Sequence, residues 1–286
     1  MSGGGGKKRI DLLLVEQGCF PSREQAQRAV MAGHIFYDGR LIDKPGAAVA
    51  PGKEIQVKGN SCPYVSRGGL KLESALSDLG IEVAGKVALD AGASTGGFTQ
   101  CLLQHGANRV YAVDVGYGQL AWDLRQDQRV KVIERTNLRY LAPGVLGEQV
   151  EFVTLDLSFI SLTKVLGAVR ELLRPGGEVL ALVKPQFEAG REQVGKGGIV
   201  KDPAVQRTVL EQVSAAACQL GFRIRGVTYS PIQGADGNIE FFLWLGYDQQ
   251  VEQSAALSPD QAKQVVLAAR AALLKTSTTE CQSPSG

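Results

Sequence analysis

Apolar positions recur along this chain with two different periods, and the changes of period divide it into segments. In 10-IDLLLVEQG-18 the apolar residues fall on one helical face and stop at Gly18, a position suited to a left-handed cap. A second helix is expected over 22-SREQAQRAVMAG-33, with Ser22 as N-cap, Gln25 at the capping-box position, Ala26, Ala29 and Val30 inward, and Gly33 closing it. The period then shortens to two. Segments 34-HIFY-37 and 40-RLI-42 flank Asp38-Gly39, a strong hairpin signal, and 54-EIQVK-58 alternates apolar with polar residues. The first segment of the chain therefore reads as a compact helix-helix-β unit.

A polar stretch, 58-KGNSCPYV-65, follows and ends near Val65, where a helix with Leu70, Leu72 and Leu76 inward takes over. From Lys86 onward short apolar runs alternate with longer amphipathic ones, the mark of a mainly parallel sheet covered by helices. Strands are expected at 86-KVALDA-91, 109-RVYAVDV-115, 130-VKVIER-135, 150-VEFVTLDL-157 and 178-EVLALVK-184. Helices are expected at 97–106, at 118–126, as one run over 162–177, and at 203–221, which has Pro203 in its first turn. Strands 222–230 and 239–246 complete the sheet as a hairpin-like pair. Residues 259–275 form a plausible amphipathic helix, and 276–286 have the composition of a disordered tail.

Composition narrows the function classes only modestly. A formal charge of +2 is too small by itself to establish a nucleic-acid partner, so the placement of charge must decide. The five cysteines are widely spaced and form no C-x-x-C pair, which argues against a disulfide framework or a zinc site; no metal is expected. No run approaches the ~20 apolar residues of a membrane span, so a cytoplasmic protein without membrane partners is expected. His34 and His105 lack ligand-type neighbours and read as structural.

Candidate chemistry gathers first in 89-LDAGASTGGFTQCLL-103. A strand running into a turn of small residues and then a helix is how open α/β sheets make nucleotide-sized pockets at their carboxyl edge. The turn is neither G-x-G-x-x-G nor a phosphate-binding G-x-x-x-x-G-K-[ST]. With Asp90 at one strand end and Asp114 at the next, it suits a ligand with a ribose and no phosphate, such as S-adenosylmethionine. Further charges stand at strand ends: Asp156 in VTLDLSFISL, Lys184 in LALVKPQFE and Glu240 in GNIEFFLWL. Buried charges are costly unless paired, so their recurrence at adjacent strand ends implies a shared polar site. Lys71 lies in the first turn of its helix, where the macrodipole disfavours a cation. Methyl transfer to a hydroxyl needs alignment with the donor and an acceptor for the proton. Lys184 is the expected general base, with Asp156, Lys71 and Glu240 positioning it.

Two resemblances extend this reading. Residues 9–58, with R-x-D-x-L-L, S-R-x-x-A, the Asp-Gly hairpin and K-P-G, resemble the S4 RNA-binding domain. The resemblance implies binding of structured RNA through Lys7, Lys8, Arg9, Arg23, Arg28, Arg40 and Lys44, mostly by shape and phosphates. Lys71, Asp156, Lys184 and Glu240 match the K-D-K-E tetrad of FtsJ-like ribose 2'-O-methyltransferases. The order of both domains, with Y-V-S-R-G-G-x-K-L, L-D-A-G-A-S-T-G-G-F-T, D-V-G-Y-G-Q-L and L-V-K-P-Q-F-E, is similar to the TlyA family over residues 9–247.

The fold class implied is α/β, a Rossmann-like S-adenosylmethionine-dependent methyltransferase with a small N-terminal S4-type α/β RNA-binding domain. The expected divisions are 8–65, 66–250, and a C-terminal helix and tail at 251–286. Cofactor contacts are expected from Asp90, Gly92, Ser94, Gly96, Gly97 and Phe98 around the methionine part, Asp114 at the ribose and Asn137 near the adenine. Arg67 in the S-R-G-G turn, and Arg191, Lys196 and Lys201 in a long Gly-rich segment read as a mobile lid, join the expected RNA contacts. The substrate implied is cytidine of 23S, and also 16S, ribosomal RNA within ribosomal subunits. A noncatalytic RNA-binding assembly factor and a membrane-active haemolysin remain as alternatives.

Overall fold

The computed structural model describes residues 7–20, 22–31, 33–57, 62–234, 237–248 and 255–275, and the side chain of Arg28 is not among those described. The Gly-rich leader 1–6, part of the expected linker at 58–61 and the tail 276–286 with Cys281 also lie outside the described residues. The chain divides into two compact units, 1–67 and 68–286.

In the first unit α1 (Ile10–Glu16) and α2 (Arg23–Met31) pack together beside a three-stranded antiparallel sheet. Before them comes the short β1 (Lys8–Arg9); the sheet contains β2 (Ile35–Tyr37), β3 (Arg40–Ile42) and β5 (Ile55–Val57), while β4 (Ala48–Val49) pairs with β1. The hairpin forms as its sequence predicts, with Asp38 and Gly39 both at positive φ (53° and 72°). Ile10, Leu13, Leu14, Ala26, Ala29, Val30 and Ile35 belong to the core, among them the Ala26, Ala29 and Val30 that helical periodicity placed inward, whereas Leu12 of the first apolar run is exposed. The β1–β4 ladder spans two residues per strand, too few for any period to reveal it.

The second unit is a seven-stranded sheet between helices. Its strands are β6 (Val87–Ala91), β7 (Arg109–Val113), β8 (Val130–Ile133), β9 (Val150–Leu155), β10 (Leu173–Val183), β11 (Phe222–Tyr229) and β12 (Phe241–Tyr247). Their spatial order is β11-β12-β10-β9-β6-β7-β8, with β12 antiparallel to both neighbours and the other neighbouring strands parallel. The last strand thus inserts between β10 and β11. The helices are α3 (Gly68–Leu79), α4 (Gly97–Gln104), α5 (Trp122–Gln126), α6 (Pro143–Leu146), α7 (Leu166–Leu172), α8 (Pro185–Glu188), α9 (Pro203–Gln219) and α10 (Pro259–Lys275). On one face α3 packs against α4 and β11, burying Leu72 and Leu76 while Leu70 is half-buried. On the other, Val209, Leu210 and Val213 of α9 and Ala262, Val266 and Ala269 of α10 join the sheet core, which gives the C-terminal helix a packing role.

Two expectations change. The single helix over 162–177 is instead a 3₁₀ turn at Leu162–Lys164 followed by α7, which ends where β10 begins, two residues before Pro175. The segment 184–203, expected as a mobile lid, carries regular structure: α8 follows Lys184 directly, and a 3₁₀ turn covers Arg191–Gln193.

Candidate active site

The parallel strands bring β6, β7 and β9 to one edge, and the loops leaving them enclose a cleft of ≈ 820 Å³. Gly92 begins the first loop with φ +85°, and a Cβ there would collide with the Asp156 carbonyl oxygen. Only glycine lets the β6 turn lie this close to the end of β9. Gly96 (φ +99°) is under similar constraint, since a Cβ would run into Leu124 and Leu120.

Asp114, just past β7, accepts hydrogen bonds from the Ser94 amide at 2.8 Å and the Gly116 amide at 2.7 Å. Its carboxylate is thereby fixed at the cleft wall, which also contains Gly92, Ser94 and Asn137. Asn137 accepts from the Arg139 amide at 3.0 Å, shaping the turn after β8. The other four expected cofactor contacts, Asp90, Gly96, Gly97 and Phe98, do not line the cleft. Phe98 is buried against Phe242 with ring centroids 6.2 Å apart.

Asp90 is fully buried inside the sheet, where it accepts hydrogen bonds from Thr99 Oγ1 at 2.7 Å and Thr154 Oγ1 at 3.1 Å. Burial pushes its pKa up to about 7; the two threonine hydroxyls pull the other way, and the charge of Asp156 adds to the rise. It underpins the turn rather than facing a ligand.

The four charged residues singled out in sequence meet as two ion pairs. Lys184 Nζ lies 2.7 Å from Asp156 Oδ1, an oxygen that is buried and takes no hydrogen bond of its own. The contact is therefore one of charge and proximity, and the lysine directs a 3.0 Å hydrogen bond to Ser158 Oγ. Lys71, from the first turn of α3, meets Glu240 at 2.6 Å, and both side chains are largely buried. The ladder pairs Val183 with Phe241, so Lys184 and Glu240 stand at adjacent strand ends next to it. A Cβ at Gly234 would collide with Glu240 Oε1, so the chain passes close over this carboxylate.

The sequence did not single out Phe159. It is 90% exposed, has φ +65°, stacks on Phe187 at 5.0 Å between centroids and lines the cleft, while Phe187 in turn lies under Lys184 Nζ. A bulky side chain held in left-handed backbone is strained, and such strain persists where surrounding structure enforces it. Glu188 does so here, accepting from Ser161 Oγ at 2.6 Å and the Leu162 amide at 2.8 Å; burial raises its pKa. Ser94 and Arg135, also at positive φ, lie in the loops after β6 and β8 at the same edge. The signal available in sequence was an aromatic in a polar loop directly after a charged strand end.

The expected RNA-contacting residues Lys7, Lys8, Arg9, Arg23, Arg40, Lys44 and Arg67 of the first unit are all exposed, as are Arg191, Lys196 and Lys201 of the second. Lys8 is paired with Glu16, and Arg9 and Arg23 both engage Asp11. The foot of the expected lid is anchored: Asn238 Oδ1 accepts from the Val200 amide and its Nδ2 donates to the Gly198 carbonyl, both at 2.9 Å. Among the described residues there is no group of side chains suited to hold a metal ion.

Comparison with known proteins matches two family models to the chain. The family model of the FtsJ-like methyltransferases matches residues 64–247, and that of the S4 domain matches residues 8–55. The chain is 50% identical to "Putative rRNA methyltransferase YqxC" of Bacillus subtilis, over 91% of this chain and 93% of that one. It is 48% identical to the 16S/23S rRNA (cytidine-2'-O)-methyltransferase TlyA of Mycobacterium tuberculosis, over 84% and 90% respectively. Among solved structures, "Putative hemolysin from Streptococcus thermophilus" superposes with a TM-score of 0.76 at 46% identity, covering 95% of this chain and 98% of that one.

Proposed function

The chain belongs to the FtsJ-like methyltransferase family, with an S4 domain preceding the catalytic fold, and from that premise we propose that it methylates the ribose 2'-oxygen of cytidine in ribosomal RNA. Relatives whose names specify rRNA methylation support the substrate class. The observation that carries the reading is the pairing of Lys184 with Asp156 and Lys71 with Glu240 at the strand edge that also bounds the cleft.

The cleft fits S-adenosylmethionine. Its size is that of sites for ligands of this class, its walls are apolar at Val113, Leu138 and Ile160, and a fixed carboxylate, Asp114, is available to ribose hydroxyls. When bound, S-adenosylmethionine supplies a methyl group activated by a sulfonium centre. Gly92 and Ser94 let the backbone approach the methionine part, and Asn137 and Leu138 border the adenine. Asp156, on the cleft wall, orients the Lys184 amine towards the acceptor side. Lys184 takes the proton from the ribose hydroxyl as its neutral amine, once its own ammonium proton has passed to solvent, while Lys71 and Glu240 fix the adjacent strand end and balance its charge. Phe159, with Phe187 behind it, offers a flat apolar surface beside Lys184 on which the target base stacks. The four ionisable residues form a coupled set, so single substitutions will not act additively.

Incubating ribosomal subunits with the protein and labelled S-adenosylmethionine, then locating new ribose methyl groups, tests this reading. A new 2'-O-methylcytidine supports it. Binding to subunits without methylation would instead leave the role of an assembly factor. Among the described residues no helix is long and apolar enough to cross a membrane, and nothing in the site favours the haemolytic reading.

A further inference from the structure

Three pieces of the first unit that are far apart in sequence, R-x-D at its start, the Ser-Arg that opens α2, and K-P-G, come together around one carboxylate. Asp11 is fully buried, yet it is met by two arginines and a glutamine. Arg9 donates through Nε to Oδ1 at 3.0 Å and through Nη2 to Oδ2 at 2.9 Å. Arg23 donates through Nε to the same Oδ2 at 3.0 Å, and Gln27 adds a third donor to that oxygen at 2.7 Å. The Leu12 amide completes the set at Oδ1, 3.0 Å away. The guanidinium of Arg9 lies over Gly46 of the K-P-G turn, where a Cβ would be 3.6 Å from its central carbon.

This is more than a core ion pair. Sharing one oxygen sets the two guanidinium groups side by side, an arrangement their like charges oppose and only the carboxylate between them permits. Both arginine side chains remain about half exposed, at 47% and 51%. Arg9 keeps Nη1, and Arg23 keeps both Nη groups, without a partner among the described residues. Two cations on one anion leave a net positive charge with several directed donors facing solvent, the arrangement that recognises a phosphodiester oxygen by fork geometry. The donors to Asp11, Arg9 first, hold its carboxyl well below the usual carboxylate range, so the clasp is charged wherever RNA is bound.

We propose that Asp11 is a positioning residue that holds Arg9 and Arg23 as a preformed two-arginine fork for one backbone phosphate of the RNA. The inference rests on the ribosomal RNA reading above and adds the site and its geometry. Asp11 itself touches no RNA.

The consequence runs against simple charge counting. Removing a negative charge from an RNA-binding surface should tighten binding, whereas loss of the clasp should weaken it. The test is filter binding of the full-length protein to deproteinised 23S ribosomal RNA across a KCl series, for wild type, Asp11→Asn, Arg9→Lys and Arg23→Lys. The lysine variants keep every charge and lose only the fork. Each is expected to bind roughly tenfold more weakly and to lower the slope of log affinity against log salt by about one contact's worth, ~0.7 to 0.9. Asp11→Asn is expected to bind more weakly despite its extra net positive charge, and circular dichroism reports whether its first unit is intact. If it unfolds, the lysine variants decide alone. Lysine variants with wild-type affinity and slope, or a folded Asp11→Asn that binds as tightly as wild type, overturn the fork while leaving the methyltransferase reading in place. Wild-type protein that fails to bind ribosomal RNA overturns both.

Discussion

Asp90 shows how a buried residue at a strand end can support the turn that follows it from beneath. Its carboxyl, wholly buried with two threonine hydroxyls as partners, keeps its proton up to about pH 7. In the unfolded chain an aspartate ionises near ~3.9, so between about pH 4 and about pH 7 the unfolded state releases this proton first. Stability therefore falls as pH rises through that window, by up to about 4 kcal/mol, and changes no further above it. Asp90→Asn should flatten this dependence and be the more stable protein near pH 8. Urea titrations of both at about pH 4.5 and about pH 8 read the difference directly, and equal pH slopes would refute the raised pKa. Phe159 presents the opposite case, an apolar side chain almost wholly in solvent. Because it packs little, Phe159→Ala should leave stability nearly unchanged. Loss of one base stack, worth ~1 to 3 kcal/mol, should lower kcat/KM for RNA at least about fivefold with S-adenosylmethionine affinity intact. Isothermal titration with the cofactor and steady-state methylation separate those two quantities. A drop in cofactor affinity instead would place Phe159 in the cofactor site.

At the level of elements, β6, β7 and β9 were legible because each is a short apolar run buried on both faces, and the alternation of strands with amphipathic helices declared a parallel sheet. The charged residues at their ends were legible for the same reason: Asp156 and Lys184 interrupt runs in which a charge has no other explanation. Their pairing was not. Strand periodicity puts Asp156, Lys184 and Glu240 at strand ends and the family resemblance adds Lys71, but which lysine meets which acid depends on side-chain packing across α3, β9, β10 and β12. Local chemistry also hid the break at 162–177, where Ser161 caps the 3₁₀ turn through the Thr163 amide and Glu188 holds it from α8. The segment 184–203 was expected to be a mobile lid; its stretch from Gly198 to Val200 is tied to Asn238, two residues before Glu240. Asn238→Ala removes both hydrogen bonds. Tryptic cleavage at Arg191 and Lys196 should then become several-fold faster, and methylation should fall with it, as expected where a segment closes over the site. Limited proteolysis followed by mass spectrometry checks the first effect, and unchanged cleavage would mean the segment is held by other contacts.

For the molecule as a whole, each unit contributes a different part of one task. The first carries a cationic surface organised around a buried carboxylate, and the second a cleft with Asp156 on its wall and two lysine–acid pairs at the strand ends. The exposed cations themselves were readable from sequence, because helical phase sets Arg23 off the apolar face. That Arg9 and Arg23 share Asp11 was not readable, since Arg23 lies twelve residues beyond Asp11 and reaches it through the packing of α1 on α2. The account depends most on Lys184 as the group that accepts the ribose proton. The most direct test is to map 2'-O-methyl positions on 23S and 16S RNA after ribosomal subunits are treated with S-adenosylmethionine and either wild type or Lys184→Ala. The account predicts a cytidine newly methylated by wild type, and methylation slower by roughly a hundredfold to ten-thousandfold with the variant, whose RNA binding persists. Undiminished methylation by Lys184→Ala, or no new ribose methyl from wild type, would contradict it.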